Sequence, residues 1–180
     1  MAVETVPISL GFKAPDFTLL DTQSGENKSL EELSSDVATV IMFICNHCPY
    51  VKHINQGLNE LANDYQSKGV SFIAISSNDV QNYPDDSPEK MKEMNYPFPY
   101  LYDETQQVAR DYNAACTPDF SIFDGEMNCI YRGQMDDSRP GGDIPVTGGD
   151  IRAALDSVLA GTPVAELQKP SVGCSIKWKS

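Results

Sequence analysis

Two cysteines separated by two residues are the clearest chemical feature of the sequence. Residues 45–49 read Cys-Asn-His-Cys-Pro and follow eight mostly apolar residues, 37–44. An amphipathic run comes next, so the pair is predicted to lie where a buried strand passes into a helix. The first turn of a helix has unpaired N–H groups and the positive end of the helix dipole, and both stabilise a thiolate. The pattern therefore predicts a dithiol that can close into a disulfide.

The two thiols are predicted to have different roles. Cys45 lies where the helix should begin, so we expect it to be the attacking thiol. Cys48 lies one turn further along and is expected to resolve a mixed disulfide formed on Cys45. His47 lies between them, and a charged imidazole there would stabilise the thiolate and make the pair more oxidising. Pro49 lacks a backbone N–H, which allows either a distorted first turn or a helix that begins nearer Cys48. Of the two, we expect a distorted first turn.

A metal site is the alternative for the same residues. Structural zinc has four ligands, so Cys45 and Cys48 would need His47, His53 or Cys116 to complete the set. The sequence contains no second Cys-x-x-Cys pair. Ligand number therefore favours redox chemistry, and neither a metal nor an organic cofactor is predicted.

Two further cysteines lie far from the pair. Cys129 falls in a predicted hairpin strand and is expected to be a core residue. Cys174 lies in the C-terminal tail, where it could act as a third resolving thiol, bridge to another chain, or remain a free thiol. Five scattered cysteines do not resemble a disulfide-stapled secreted domain, and residues 1–10 have no basic or long apolar segment. These features favour a cytoplasmic protein.

The composition is that of a globular protein with an acidic surface. Hydrophobic residues make up 41% of the chain, and the formal net charge is −13. Nucleic acids and anionic membranes attract basic surfaces, so neither is an expected partner. We expect one domain over residues 1–180, with its core at about 10–160 and a tail at 161–180. The acidic residues 85–86 are predicted to lie in a solvated loop.

Strands and helices are predicted to alternate along the chain. Apolar, β-branched runs at 37–44 and 70–75 flank a helix that ends near residue 66, which predicts a βαβ unit with parallel strands. A hairpin and a final helix follow, so the fold class is α/β with a central mixed sheet flanked by helices. An N-terminal strand or hairpin precedes this core, and the C-terminal tail is predicted to be irregular. The apolar face of the helix after the pair is predicted to contain Tyr50, Ile54, Leu58, Leu61 and Tyr65.

The order of these motifs resembles the thioredoxin superfamily. Ala-Pro-Asp-Phe at 14–17, an apolar strand, the Cys-x-x-Cys pair, Thr117-Pro118 before a strand, and an Asp-Gly turn at 124–125 occur in that order. Within the superfamily the chain is similar to the peroxiredoxin-like and TlpA-like branch, the redoxin (AhpC/TSA) domain. The resemblance covers about residues 10–160 and implies a thioredoxin-like fold. It also implies that Pro118 is cis, packs against Cys45 and, with Thr117, shapes a groove for substrate.

The resemblance extends to the other residues of the site. Cys116 would lie beside the dithiol, as an alternative disulfide partner or a buried filler, and His47 resembles the oxidising Cys-x-His-Cys motif of DsbA. In typical peroxiredoxins the peroxidatic cysteine stands at the end of a Pro-x-x-x-Thr-x-x-Cys motif. When Cys45 is placed at that cysteine, Ala38 stands at the proline position and Met42 at the threonine position. The hydroxyl that would orient a peroxide is therefore missing.

The predicted function is thiol–disulfide oxidoreductase. Its expected partners are disulfides or thiols of proteins or small molecules, together with a reducing or oxidising partner protein. One alternative is a thiol peroxidase that uses Cys45, with Cys48 or a tail thiol to resolve it. A second alternative is a metal-binding carrier that uses Cys45, Cys48 and a histidine.

Overall fold

The chain contains ten strands, five α-helices and one short 3-10 helix (Pro84–Asp86), and the computed structural model describes all residues from 1 to 180. The strands are β1 (Ala2–Glu4), β2 (Thr18–Asp21), β3 (Asn27–Ser29), β4 (Ala38–Phe43), β5 (Val70–Ser76), β6 (Tyr100–Tyr102), β7 (Cys116–Thr117), β8 (Asp119–Asp124), β9 (Cys129–Gly133) and β10 (Val172–Ser175). The helices are α1 (Leu30–Leu33), α2 (Pro49–Gln66), α3 (Pro88–Glu93), α4 (Gln107–Asp111) and α5 (Gly149–Ala160).

A seven-stranded mixed sheet forms the centre of the molecule. Its strand order is β3-β2-β6-β5-β4-β8-β9. β4 and β5 are parallel and joined by α2, which confirms the predicted βαβ unit, whereas β4 and β8 are antiparallel. Because β4 and β5 run in the same direction, the segments that follow them emerge at the same edge of the sheet.

Both faces of the sheet are covered, which explains the apolar sequence of β4. All six of its residues are buried. Val40 and Met42 belong to a core cluster that includes Leu58 of α2, while Ile41 and Phe43 face a second cluster that includes Tyr112. Successive side chains of a strand point to opposite faces, so a strand between two cores is apolar at nearly every position, and Thr39 is the one polar residue of β4. The predicted α/β fold with a mixed sheet flanked by helices is confirmed.

The helix after the cysteine pair begins at Pro49, with Cys48 as its N-cap residue. Proline is well suited to the first helical position because its missing N–H would have no partner there. The expectation of a distorted first turn was therefore wrong, because the helix begins directly after Cys48, and Cys45 lies before the helix rather than in its first turn. The predicted apolar face is confirmed for four of its five residues, and the exception is Tyr50, which is only partly buried. The buried residues of α2 are Val51, Ile54, Leu58, Leu61, Ala62 and Tyr65. None of the helices combines the length and apolar character needed to cross a bilayer.

The C-terminal tail contains a strand that the sequence did not predict. β10 pairs antiparallel with β1 on one side and with β7 on the other, forming a second sheet. The expectation of a wholly irregular tail was wrong, because four residues with a glycine carry no local strand signal and the pairing depends on distant segments. The backbones of β10 and β7 lie close together, because a Cβ atom on Gly173 would lie 1.9 Å from the carbonyl oxygen of Thr117.

Leu58→Ala should destabilise the fold strongly. The Leu58 side chain is fully buried between α2 and the sheet. Removing it leaves a cavity, and such substitutions cost about 2–5 kcal/mol of unfolding free energy. The measurement is urea denaturation. Leu167→Ala is the control, because Leu167 is 94% exposed and surface substitutions change stability by about 0.5 kcal/mol or less. Equal stabilities of the two variants would contradict this packing.

Candidate functional site

The two thiols of the Cys-x-x-Cys pair lie against Thr117. Cys45 follows β4, and its Sγ is 3.5 Å from the hydroxyl oxygen of Thr117. The Cys48 thiol donates to the Thr117 carbonyl oxygen at 3.3 Å. The Thr117-Pro118 peptide bond is cis, as the resemblance implied, and both cysteines are in the free thiol form. The structure thus places Cys45, Cys48, Thr117 and Pro118 together, where the end of β4 meets the start of α2.

The thiol pair can hold one negative charge more readily than two. A hydrogen bond from the Cys45 thiol lowers the pKa of Cys48, helped by Cys174 and by the backbone N–H of Val51, although burial opposes this. The same bond raises the pKa of Cys45, and burial and the charge of Asp86 raise it further. The two sulfurs therefore share one proton and one negative charge. The assignment of Cys45 as the attacking thiol stays a prediction, since the charge can shift between sulfurs that share a proton.

Asp86 is a buried carboxylate beneath the loop that carries the two cysteines. Its Oδ1 accepts the backbone N–H groups of Asn46 at 2.7 Å and His47 at 3.2 Å, and its Oδ2 accepts from Asn78 at 2.9 Å. Its side chain is fully buried. The prediction of a solvated acidic loop at 85–86 was therefore wrong for Asp86, because these donors replace its water.

His47 is held between Asp86 and an aromatic ring. Its Nδ1 contacts the Asp86 carboxylate, and its ring stacks on Tyr83 with the ring centroids 5.3 Å apart. The side chain remains 25% exposed. A carboxylate at Nδ1 fixes the orientation of an imidazole. The predicted influence of His47 on the thiolate stays a prediction.

Three side chains at this site could offer ligand atoms to a metal ion. One ligand atom each from Cys45, His47 and Asp86 lies within 4.8 Å of the others. This set differs from the expected one, since Asp86 replaces Cys48, and His53 instead contacts the hydroxyl of Ser138 at 3.2 Å. Sulfur, nitrogen and oxygen donors together suit zinc or a similar transition metal.

Cys116 is separated from the dithiol by the alternation of its strand. Thr117 faces Cys45 and Cys48, so the side chain before it points the other way. The Cys116 thiol is fully buried, donates to the Pro118 carbonyl oxygen at 3.7 Å, and has its pKa raised by burial and by Asp119. It makes no hydrogen bond to either thiol of the pair, and of the two roles considered this geometry matches the buried filler.

Cys129 and Cys174 have contrasting environments. Cys129 is buried in the core, as predicted, and its thiol donates to the Tyr131 carbonyl oxygen at 3.4 Å. Cys174 lies directly opposite Thr117 in the pairing of β10 with β7. Burial and the neighbouring Cys48 sulfur raise the pKa of Cys174 to about 11. The structure therefore adds Cys174 to the two thiols that surround Thr117.

The groove expected beside Thr117 and Pro118 is filled by the chain itself. β10 pairs with β7 through Thr117 and Cys116, which is where an extended substrate could otherwise add a strand. Cys45 is 1% exposed and Cys48 is fully buried. The expectation of an open groove for substrate is thus not met in this conformation.

Several residues of the site were missed from the sequence: Asn46, Asn78, Tyr83, Asp86 and Tyr100. Asn46 anchors the loop through its side chain, which donates to the Asp85 carbonyl oxygen at 2.9 Å and accepts from the Tyr100 hydroxyl at 2.9 Å. The predicted parallel pairing of β4 and β5 could have indicated some of these residues. The loop after β5, which contains Asn78, Tyr83 and Asp86, has to emerge beside the cysteine pair when the two strands are parallel.

The reduced protein should contain one thiolate at neutral pH. The lowered pKa of Cys48 means that the thiolate persists below neutral pH and is lost as the pH falls through that lowered value. The hydrogen bond from Cys45 is the largest cause of the lowered pKa of Cys48. Cys45→Ala removes that bond, so the pKa of Cys48 should rise. The measurement is thiolate ultraviolet absorbance against pH. Cys129→Ala is the control, and an unchanged titration curve in Cys45→Ala would contradict the shared charge.

Asp86→Asn should make the pair more oxidising. Three causes raise the pKa of Cys45: in order of size, they are the hydrogen bond to Cys48, burial, and the negative charge of Asp86. Its removal favours the thiolate and hence the reduced form, so the reduction potential should become less negative. Equilibration with glutathione buffers measures this potential. Asp85→Asn is a matched control with the same change of net charge, because the Asp85 side chain is exposed. Equal potentials for the two variants would show that Asp86 has no electrostatic role.

Comparison with known proteins supports the resemblance. The thiol-disulfide oxidoreductase ResA of Geobacillus kaustophilus (strain HTA426) is 28% identical over 135 residues, which are 73% of this chain and 74% of ResA. Among solved structures, an uncharacterized conserved protein from Geobacillus kaustophilus is 63% identical with a TM-score of 0.97, and covers 99% of this chain and 97% of its own. A hypothetical protein from Sinorhizobium meliloti 1021 is 44% identical, has a TM-score of 0.95, and covers 98% of both chains.

The fold and the family follow from two further comparisons. The thioredoxin domain of a thiol-disulfide oxidoreductase from Bacteroides vulgatus has a TM-score of 0.61 and 18% identity, covering 73% of this chain and 92% of its own. This likeness shows a thioredoxin-like fold. The AhpC/TSA family model matches residues 10–132, which is more than half of the chain. The protein therefore belongs to the AhpC/TSA family, a redoxin family of the thioredoxin superfamily.

Proposed function

We propose that the protein is a thiol–disulfide oxidoreductase that acts through Cys45 and Cys48. One observation carries the proposal: two free thiols at a strand-to-helix junction both contact Thr117, at 3.5 Å and 3.3 Å. A thiolate stabilised by its partner thiol is the nucleophile that disulfide exchange requires.

The exchange needs no cofactor. The Cys45 thiolate attacks one sulfur of a substrate disulfide, and a mixed disulfide forms as the first substrate thiolate leaves. The Cys48 thiolate then attacks the Cys45 sulfur, which closes the Cys45–Cys48 disulfide and releases the second substrate thiolate. The substrate gains two electrons and the pair loses two, and a partner dithiol reverses the change to complete the cycle. The same steps in reverse oxidise a substrate.

The relatives support this activity above the alternatives. ResA is named a thiol-disulfide oxidoreductase, and so is the protein that contains the Bacteroides vulgatus domain. Met42 and Ala38 are buried in the core and offer no hydroxyl to a peroxide. They stand at the threonine and proline positions of the peroxiredoxin motif. The trio of Cys45, His47 and Asp86 keeps a metal carrier as the second candidate.

Thiol titration before and after mild oxidation tests the proposal. Two of the five thiols should be lost per chain, and mass spectrometry should locate them at Cys45 and Cys48. Cys48→Ser should abolish catalysis of disulfide exchange with glutathione disulfide, and Cys45→Ser should prevent the Cys45–Cys48 disulfide from forming, because each removes one of the two sulfurs of that disulfide. Cys129→Ser is the control for loss of a buried thiol and should retain both the disulfide and the activity.

The same preparation distinguishes the alternatives. If all five thiols survive oxidation, the dithiol mechanism is wrong. Rapid consumption of hydrogen peroxide, lost in Cys45→Ser, would favour the peroxidase. A metal that copurifies with the wild type and is lost in His47→Ala would favour the carrier.

A further inference from the structure

We propose that Cys174 is a third redox thiol, which transfers the disulfide between the buried Cys45–Cys48 pair and the outside of the molecule. The inference rests on the proposed function, because it needs a dithiol that undergoes oxidation. It assigns a way for substrates to reach a site whose two central sulfurs are covered. It also commits Cys174 to one of the roles that the sequence left open.

The position of Cys174 is set by strand pairing. In the antiparallel register of β10 with β7, Cys174 lies directly across from Thr117. Thr117 is also the residue whose hydroxyl and carbonyl contact Cys45 at 3.5 Å and Cys48 at 3.3 Å. Cys174 packs against the core cluster that contains both cysteines, and it contributes to the lowered pKa of Cys48. Three sulfurs therefore surround one residue, and Cys48 is the one next to Cys174.

The segment that carries Cys174 is anchored on both sides. Before it, the Ser171 hydroxyl donates to the Pro118 carbonyl oxygen, and the Ser171 N–H donates to Thr5 at 2.8 Å. After it, the Ile176 N–H donates to the Ala115 carbonyl oxygen at 3.0 Å, and the Lys177 N–H donates to the Asn78 side chain at 2.8 Å. A strand bonded at both ends holds its middle residue in a fixed place.

The close approach of β10 to β7 depends on a glycine. A Cβ atom at Gly173 would lie 1.9 Å from the Thr117 carbonyl oxygen and 3.1 Å from the Pro118 nitrogen. The Thr117 oxygen is the acceptor of the Cys48 thiol. The residue before Cys174 therefore lets the strand lie directly against the atoms of the site, which is the usual reason for glycine within a strand.

Access to solvent distinguishes the three sulfurs. Cys45 and Cys48 are 1% and 0% exposed, whereas Cys174 is only partly buried. A disulfide partner that approaches the folded protein therefore meets Cys174 before either thiol of the pair. Exchange requires access to the attacked sulfur, so the partly exposed thiol is the one that an outside thiolate or disulfide can reach.

The transfer balances as an internal exchange. In the oxidised protein, the Cys174 thiol loses its proton to solvent and attacks the Cys48 sulfur. The Cys48–Cys174 bond forms as the Cys45–Cys48 bond breaks, and Cys45 leaves as a thiolate that can be protonated. A substrate thiolate then attacks the Cys174 sulfur and releases Cys48. No electrons are gained or lost in the internal step, and the substrate thiol becomes oxidised to a mixed disulfide that a second thiol resolves.

Disulfide mapping in Cys45→Ser tests the contact directly. The purified full-length variant is oxidised with glutathione disulfide, its free thiols are blocked, and its peptides are identified by mass spectrometry. We expect an intrachain Cys48–Cys174 disulfide. The double variant Cys45→Ser/Cys174→Ala should instead carry glutathione on Cys48 or keep a free thiol there. If Cys45→Ser also ends with Cys174 free, or only with disulfides between chains, the inference is overturned.

Exchange rates in Cys174→Ala provide the second test. The variant retains the backbone of β10, and its circular dichroism should match that of the wild type. If Cys174 transfers the disulfide, oxidation of a folded protein dithiol by the oxidised variant should be at least about tenfold slower than by the wild type, since the direct path is covered. Cys129→Ala should exchange at the rate of the wild type.

The outcomes separate this inference from the proposed function. If the Cys174→Ala variant exchanges as fast as the wild type, or faster, β10 acts only as a cover and the inference fails. In that case a wild-type Cys45–Cys48 disulfide would leave the proposed function intact. If the wild type forms no Cys45–Cys48 disulfide at all, the proposed function fails, and the transfer fails with it.

Discussion

The contact of both thiols with Thr117 is the interaction on which the rest of the site depends. The Thr117 hydroxyl faces Cys45 and its carbonyl oxygen accepts the Cys48 thiol. A buried thiol has few polar partners, so one residue that offers both a hydroxyl and a carbonyl decides where the two sulfurs lie. β4 and α2 bring the cysteines to this point from one side. β7 and the cis Thr117-Pro118 bond bring Thr117 from the other.

A buried carboxylate supports the same loop from below. Asp86 would be costly to bury without partners, and it accepts from two backbone N–H groups, from Asn78 and from the His47 ring. These bonds hold the residues between the two cysteines in one conformation. The negative charge also lies near Cys45 and opposes a thiolate there. Asp86 therefore orders the loop and disfavours a thiolate on Cys45.

The second sheet explains how the site is covered. β7 has only two residues and would be an open edge by itself, and β10 closes that edge with an antiparallel partner. β10 is in turn paired with β1, so both ends of the chain meet over the dithiol. This arrangement buries the sulfurs of Cys45 and Cys48. It leaves Cys174, which is only partly buried, as the most exposed of the three cysteines around Thr117.

The local pattern of the sequence was sufficient for the βαβ unit and for the position of the two cysteines between its first strand and its helix, although not for the start of that helix at Pro49. These features depend on residues close together in the chain, where apolar period and capping chemistry act directly. The resemblance added the cis bond at Pro118, because a lone Thr-Pro pair has no such specificity.

Local sequence patterns were enough to identify the sulfurs that could react and to place them at a strand-to-helix junction. Their surroundings depend on contacts between segments that are distant in the chain. Asp86 appeared to be a surface residue because burial is set by segments distant in the chain, and the pairing of β10 with β7 joins residues that no local pattern connects. Cys174 and Cys116 looked alike as unpaired cysteines, yet strand alternation turned one toward the pair and the other away. Side-chain direction depends on register, and register is fixed when the strands meet.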